Sequence, residues 1–191
     1  MLLRVYLLAG LVAHKVVWEA LKRQSAGTVD RSPHPNGPSA LRRALRLVKT
    51  GILLGLVLQA LSPEVWPIVA HARLLRVVGV VIYTLGLVVA ILGRFQLGAS
   101  WSDIEAPQVR RDHAVVAHGV YRYIRHPIYV GDLLLVLGFE LALNSWCVLG
   151  VMLLAPFALQ RAVREERMLS SALPAYGDYC ARTKRFIPFL V

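Results

Sequence analysis

Leu74 to Gly93 form a run of 20 residues that is apolar but for Arg76, Tyr83 and Thr84, about the length an α-helix needs to cross the hydrocarbon core of a bilayer. Four further apolar blocks stand at about 2–20, 47–62, 128–143 and 146–160. Together with 57% hydrophobic residues and a mean hydropathy of +0.55, they exclude a typical soluble domain. A chain inside hydrocarbon has no water to satisfy its backbone polar groups, so each span has to be a helix. The blocks predict an all-α, polytopic transmembrane bundle of about five spans. The second and fourth blocks are short, at 16 residues each. The fifth has 14 residues before Gln160, where nothing breaks the helix, so it is expected to continue out of the bilayer through Leu169. Asn144-Ser145 alone separates the last two blocks, which predicts a tight helical hairpin over 128–160. The whole chain, 1–191, suits one integral-membrane domain, with three N-terminal spans in 1–93 and a core in 94–191.

Charge sets the orientation. Of 22 Lys and Arg, seven lie between the first two blocks, five between the third and fourth, and six after the fifth. If all five blocks span, these fall on one side, and the positive-inside rule makes that side cytoplasmic, with the N-terminus out and the C-terminus in. If the first block lies at the interface instead, its N-terminus becomes cytoplasmic and the later loops do not move. The net charge of +11 would suit nucleic acid, but the basic residues flank apolar blocks rather than forming a stripe on a soluble surface. Anionic membrane lipids are the better partner, and no nucleic acid is expected. Cys147 and Cys180 show no C-x-x-C and no zinc spacing with His, so neither a disulfide framework nor a metal is expected. Leu2 to Ala13 resembles a signal h-region, but no small-residue cleavage site precedes His14-Lys15, and a retained first span is expected.

Residues 24–40 are rich in Pro, Gly and Ser and read as an irregular loop. Residues 94–118 mix Phe95, Leu97, Trp101, Ile104 and Val109 with polar residues, too apolar for a free linker, and are expected along the membrane surface or as a lid. Gly79, Gly86 and Gly93 recur every seventh residue of the third block and would let helices approach closely.

Two polar clusters abut the spans: G-V-Y-R-Y-I-R-H-P-I-Y at 119–129, and R-A-V-R-E-E-R-M-L at 161–169 with Y-G-D-Y-C-A-R-T-K-R-F-I-P at 176–188. Ionisable groups beside hydrocarbon have to be paired or hydrated. Their composition suits an anionic, nucleotide-like cofactor and a lipid-borne substrate. On spacing alone Pro127 merely starts a helix, with Arg125-His126 as a headgroup anchor, and Arg161 and Glu165, four apart, form a surface ion pair or a snorkelling Arg. Asp132, one turn below His126, is placed to orient it. Glu140 is expected solvated at the far interface, Lys15 and Glu19 as a local pair, and His14, His34, His71, His113 and His118 as ordinary surface residues.

The motif G-x-Y-x-x-x-R-H-P-x-Y-x-G at 119–131, preceded by L-G-A-S-W-S at 97–102, is followed by R-x-x-x-E-E-x-x-L and Y-x-x-Y-x-x-x-x-x-R-x-I-P. In this order the motifs resemble the isoprenylcysteine carboxyl methyltransferase family of integral-membrane enzymes over roughly residues 95–188. The resemblance implies S-adenosylmethionine as donor, bound at the cytoplasmic face by the last two spans and the C-terminal segment. It implies methyl-ester formation on a lipidic acceptor, a prenylcysteine-like or isoprenoid carboxylate, with phospholipid amines and small thiols as the acceptors of related enzymes. No G-x-G occurs, so a Rossmann-type site is not expected.

The resemblance assigns His126, Tyr129 and the Glu165-Glu166 pair to the cofactor and puts Arg161 and Glu165 in the catalytic site. By residue chemistry, Arg125 and His126 suit the donor carboxylate, Glu165 or Glu166 its ribose diol, and Tyr121, Tyr129, Tyr176 and Tyr179 its adenine or sulfonium. Arg161 is the first choice to hold an acceptor carboxylate, with Arg185 second and Trp101 at the membrane interface beside the acceptor's chain. A competing reading is a nicotinamide-dependent reductase, because sterol reductases end in a similar Tyr/Cys/Arg/Pro tail; this chain has half their usual spans. A non-enzymatic adaptor would leave the polar clusters without a purpose.

Overall fold

The computed structural model describes residues 1–26, 39–62, 66–98 and 115–188. Six helices follow in order: α1 (Leu2–Ala26), α2 (Ser39–Leu61), α3 (Arg73–Leu97), α4 (Pro127–Ala142), α5 (Gly150–Ala172) and α6 (Tyr176–Arg182). Short 3₁₀ turns at Gly119–Arg122 and Trp146–Leu149 precede α4 and α5. Among the described residues two stretches, Arg73–Leu97 and Trp146–Ala172, are long and apolar enough to cross a membrane. Two of the other long helices fall short of that measure for visible reasons. In α4 there are 16 residues, about 24 Å of helix. In α1 the charges Arg4, Lys15, Glu19, Lys22 and Arg23 interrupt the apolar stretch.

The centre of the fold is the antiparallel pair α3–α4. A methyl group built onto Gly79, Gly86 or Gly138 would overlap the backbone of Ala142, Leu135 and Tyr83 respectively, and one on Gly131 would lie 2.5 Å from the nitrogen of Ala90. The seventh-residue glycines of α3 and the glycines of α4 thus let two backbones touch, so dispersion contacts and close fit hold the pair where lipid offers no hydrophobic drive. Tyr83 and Phe139 are fully buried at this seam together with Leu135. The Tyr83 hydroxyl donates to the Leu7 carbonyl at 2.6 Å, fastening α1 to α3, and a Cβ at Gly10 would meet the same phenol ring.

The turn between α4 and α5 is built on Asn144. It adopts a left-handed φ of 57°, a conformation Asn tolerates better than most residues. Its carboxamide accepts from Val69 N at 3.1 Å and donates to Val69 O at 2.8 Å. With the Pro67–Ser145 bridge, this ties the segment before α3 to the end of α4. Glu140, expected in solvent, is instead buried at 4% exposure and accepts from the Gln59 amide at 2.7 Å. Packing against α2 takes that end of α4 out of reach of water. Helix α5 contains Pro156 and runs on past Gln160 to Ala172, carrying Arg161, Glu165 and Glu166 beyond its apolar half.

Candidate active site

The polar site forms where the start of α4, the second half of α5 and the C-terminal segment meet. Gly119, at a φ of +59°, opens the 3₁₀ turn, and Val120 N donates to Gln96 Oε1 at 2.8 Å, so the last turn of α3 holds this corner. Residues 123–126 then run parallel to 183–185. Ile124 bridges Lys184, Arg125 N donates to Lys184 O at 2.8 Å, and His126 N to Arg185 O at 3.2 Å. Pro127 occupies the first turn of α4, where its missing N–H costs nothing. The chain is thereby folded so that Arg125, His126 and Arg185 face α5 together.

They converge on one carboxylate. Glu166 accepts from Arg125 Nε at 2.8 Å, from His126 Nε2 at 3.1 Å, and from Arg185 through Nη2 at 2.6 Å and Nε at 3.1 Å. Since a carboxylate only accepts, His126 Nε2 carries the proton. Arg125 also donates through Nη1 to the carbonyls of Cys180 and Thr183. Charge-assisted contacts of this kind are the stronger hydrogen bonds of a protein, and here they fasten the tail to α5. The Glu166 hydrogen bond, the leading cause, holds the Arg185 guanidinium above its ordinary pKa.

Glu165 has a different environment. Its Oε2 accepts from the Tyr129 hydroxyl at 3.1 Å, and Arg161, one turn earlier on α5, faces the same hydroxyl. The buried phenols around it are neutral donors. Burial, reinforced by the nearby Glu165 carboxylate, pushes Tyr121 well above the ordinary phenol range. Burial does the same to Tyr176 and Tyr179. Tyr179 donates its hydroxyl to the Tyr121 carbonyl at 2.8 Å, and Thr183 closes the corner with a bond to Tyr179 O at 2.6 Å. The His126 ring lies between Tyr129 and Phe186, at centroid distances of 5.5 and 5.8 Å.

The residues singled out in the sequence therefore divide into two groups. Arg125, His126, Glu166, Tyr179 and Arg185 interlock as a wall, whereas Tyr121, Tyr129, Arg161 and Glu165 cluster beside it. Trp101 lies outside the described residues. Asp132 does not orient His126. Its Oδ1 lies 2.9 Å from His14 Nε2, and it accepts from Arg94 Nη2 at 3.2 Å, because its side of α4 faces α1 and α3. His14 is correspondingly not a lone surface residue, whereas Lys15 and Glu19 do form the expected local pair at 3.1 Å. Sequence reasoning also missed Gln96, Thr183 and Phe186. Arg94 was read only as a loop charge, although a cation directly following an apolar run was the available signal. Among the described residues no group of three or more His, Cys, Asp or Glu is arranged to hold a metal ion.

Comparison with known proteins places this geometry. Residues 74–175 match the family of phospholipid methyltransferases. The chain is 31% identical to the cobalt-zinc-cadmium resistance protein CzcN of Cupriavidus metallidurans, over 84% of this chain and 75% of that one. It is 35% identical to the protein-S-isoprenylcysteine O-methyltransferase of Schizosaccharomyces pombe, over 49% of this chain and 39% of that one. For the enzyme of the same name from Tribolium castaneum the identity is 33%, over 56% and 41%. The chain thus spans about two fifths of the length of these two methyltransferases. A solved structure of the eukaryotic intramembrane Ras methyltransferase, isoprenylcysteine carboxyl methyltransferase, superposes with a TM-score of 0.59 at 22% identity, covering 97% of this chain and 63% of that one. That likeness is one of fold. From the match over more than half its length, with the interlocked polar motifs inside and beside it, the chain belongs to the phospholipid methyltransferase family.

Proposed function

We propose that this protein transfers a methyl group from S-adenosylmethionine to the carboxylate of a lipidic acceptor of the prenylcysteine or isoprenoid kind. The observation that carries the reading is the separation of two adjacent carboxylates. Glu166 is enclosed by two guanidiniums and an imidazole, whereas among the described residues Glu165 bonds the Tyr129 hydroxyl, next to Arg161. One carboxylate builds the pocket wall and the other remains to receive a ligand.

The residues fit such a donor. Glu165 has acceptor capacity left for a ribose diol. The neutral phenols of Tyr121 and Tyr129 suit a cationic sulfonium, which is attracted to aromatic rings. His126 would line the same pocket. Arg125, Arg185 and Tyr179 would act by holding the wall, since their bonds run to Glu166 and to the backbone of the tail and corner. When bound, the donor supplies an electrophilic methyl on sulfur, whose S–C bond breaks to leave a neutral thioether as the new O–C bond forms. A carboxylate acceptor is already ionised at neutral pH, so the chain has no proton to remove. Its task is alignment, for which proximity lowers the barrier. Arg161 would hold the two carboxylate oxygens with parallel hydrogen bonds. The polar site sits at the foot of the apolar helices, on the face that charge asymmetry makes cytoplasmic, so a lipid chain stays in the bilayer while its head reaches Arg161.

A second acceptor class is favoured by the same Glu165. A phospholipid amine has to lose a proton before it attacks, and a carboxylate with a free lone pair is a base for that step. A methyl-transfer assay on purified protein across prenylcysteine, phospholipid-amine and thiol acceptors decides between them. Binding of S-adenosylhomocysteine but not of NADPH is expected; the reverse would favour a reductase and sink the proposal.

A further inference from the structure

Beside the site, three ionisable side chains from three helices meet at a single atom. His14 Nε2 on α1 lies 2.7 Å from Arg94 Nη1 on α3 and 2.9 Å from Asp132 Oδ1 on α4. Arg94 Nη2 reaches both Asp132 oxygens, at 3.3 and 3.2 Å. The two contacts at Nε2 make opposite demands. Arg94 only donates, so its contact requires a lone pair on Nε2; an ionised Asp132 only accepts, so its contact requires a proton there. One nitrogen cannot meet both.

We propose that His14, Arg94 and Asp132 form a proton-operated positioning triad for the neighbouring pocket. With His14 neutral, Nε2 accepts from Arg94. When His14 takes a proton from water, Nε2–H donates to Asp132 and the cationic ring repels Arg94, which keeps its bonds to Asp132 through Nη2. Imidazole is the side chain that changes charge between about pH 5 and 8, and His14 is 20% exposed, open to proton exchange. Charged groups facing it are Arg94 from α3 and Asp132 from α4; on α1, Lys15 and Glu19 are paired with each other. Trp18 stacks on the Arg94 guanidinium at 4.0 Å, and Lys49 of α2 lies over the same ring at 5.9 Å.

The triad reaches the pocket along two routes. Arg94 acts electrostatically on Tyr121 and stands two residues before Gln96, which holds the Tyr121 turn. Asp132 is three residues after Tyr129, on the adjacent turn of α4. A displaced Arg94 therefore moves both phenols of the donor pocket. That consequence rests on the donor reading above, whereas the exchange at Nε2 does not.

The test uses full-length protein in lipid nanodiscs. Nitrogen NMR of ¹⁵N-histidine-labelled protein, with the His14 signal identified by its loss in His14→Gln, should show Nε2 unprotonated near pH 8 and protonated near pH 5. The Gln amide offers an oxygen to Arg94 and an N–H to Asp132 on separate atoms, so it satisfies both without titrating. Wild type should then lose at least threefold in S-adenosylhomocysteine affinity from pH 8 to pH 5 relative to His14→Gln. His14→Ala should bind weakly at every pH. An Nε2 that keeps one protonation state throughout, or identical pH profiles for wild type and His14→Gln, overturns the proposal. If wild type binds no S-adenosylhomocysteine at any pH, the donor reading fails, and the NMR titration still decides the exchange.

Discussion

Arg185 and Glu166 meet at two points, Nη2 to Oε2 at 2.6 Å and Nε to both oxygens at 3.1 Å. This contact joins the C-terminal segment to α5, and the same carboxylate holds Arg125 and His126. Removing it would leave two guanidiniums facing each other in a largely buried space, with side-chain exposures of 11% for both Arg125 and Glu166. Breaking a buried pair in this way typically costs about 3–5 kcal/mol. Glu166→Ala is therefore expected to lower the thermal midpoint and to deprotect amides at 176–186 in hydrogen exchange. Wild-type protection of that segment would show that other contacts hold the tail.

Arg161 is assigned to the acceptor, not the donor. Arg161→Ala should abolish turnover while S-adenosylhomocysteine affinity stays within about threefold, a shift of roughly 0.7 kcal/mol. Calorimetry alongside a radiolabelled methyl-transfer assay reads both. Equal loss of the two would move Arg161 to the donor pocket, and full activity would reduce it to a side chain reaching for the interface.

Glu165 and His126 should behave as donor ligands. Each change to Ala is expected to weaken S-adenosylhomocysteine binding at least tenfold, about 1.4 kcal/mol, as for loss of a hydrogen bond to a charged group. Glu165→Ala should do so without the tail deprotection of Glu166→Ala, because the bond of Glu165 runs to Tyr129 on α4 while Glu166 binds Arg185 of the tail. If the two adjacent variants lose binding and protection alike, the division of labour between them is wrong.

Features written along one helix were legible in the sequence, and those written between helices were not. Helix α3 follows from a long run that is apolar apart from Arg76 near its start, and its glycine spacing marks the face that meets α4. Arg161 and Glu165 share a face through a four-residue step. By contrast, His14 and Asp132 are 118 residues apart and Gln59 and Glu140 are 81 apart. No local period records such pairs, so Asp132 was assigned to the histidine one turn above it and Glu140 to solvent. Glu165 and Glu166 are indistinguishable by composition. Their roles separate only because consecutive residues of a helix point about 100° apart, one toward the tail and the other toward Tyr129.

The glycine seam makes a packing prediction. Gly138→Val places branched carbons against the Tyr83 backbone, which cannot yield as a flexible side chain would. Overpacking commonly costs about 1–3 kcal/mol or more, and the expected result is loss of monodisperse protein on detergent extraction. Gly51→Ala, where an added Cβ meets nothing within 4 Å, serves as the comparison and should be extracted like wild type. Normal behaviour of Gly138→Val would mean that α3 and α4 do not approach as closely as described.

The two cysteines report the orientation. Cys147 is exposed in the turn between α4 and α5, and Cys180 is partly buried in α6, beyond the other end of α5. If α5 crosses the bilayer, an impermeant maleimide added to sealed, right-side-out vesicles should label Cys147 at once and Cys180 only after permeabilisation. Their pH profiles should differ as well. Burial pushes the Cys180 thiol above its ordinary pKa, so at a given pH less of it is the reactive thiolate. After permeabilisation its labelling should lag that of Cys147 at neutral pH, and the gap should narrow as pH rises. Labelling of both from the same side would contradict the span through α5. A Cys180 that reacts as fast as Cys147 near pH 7 would show that the α6 corner is open rather than packed.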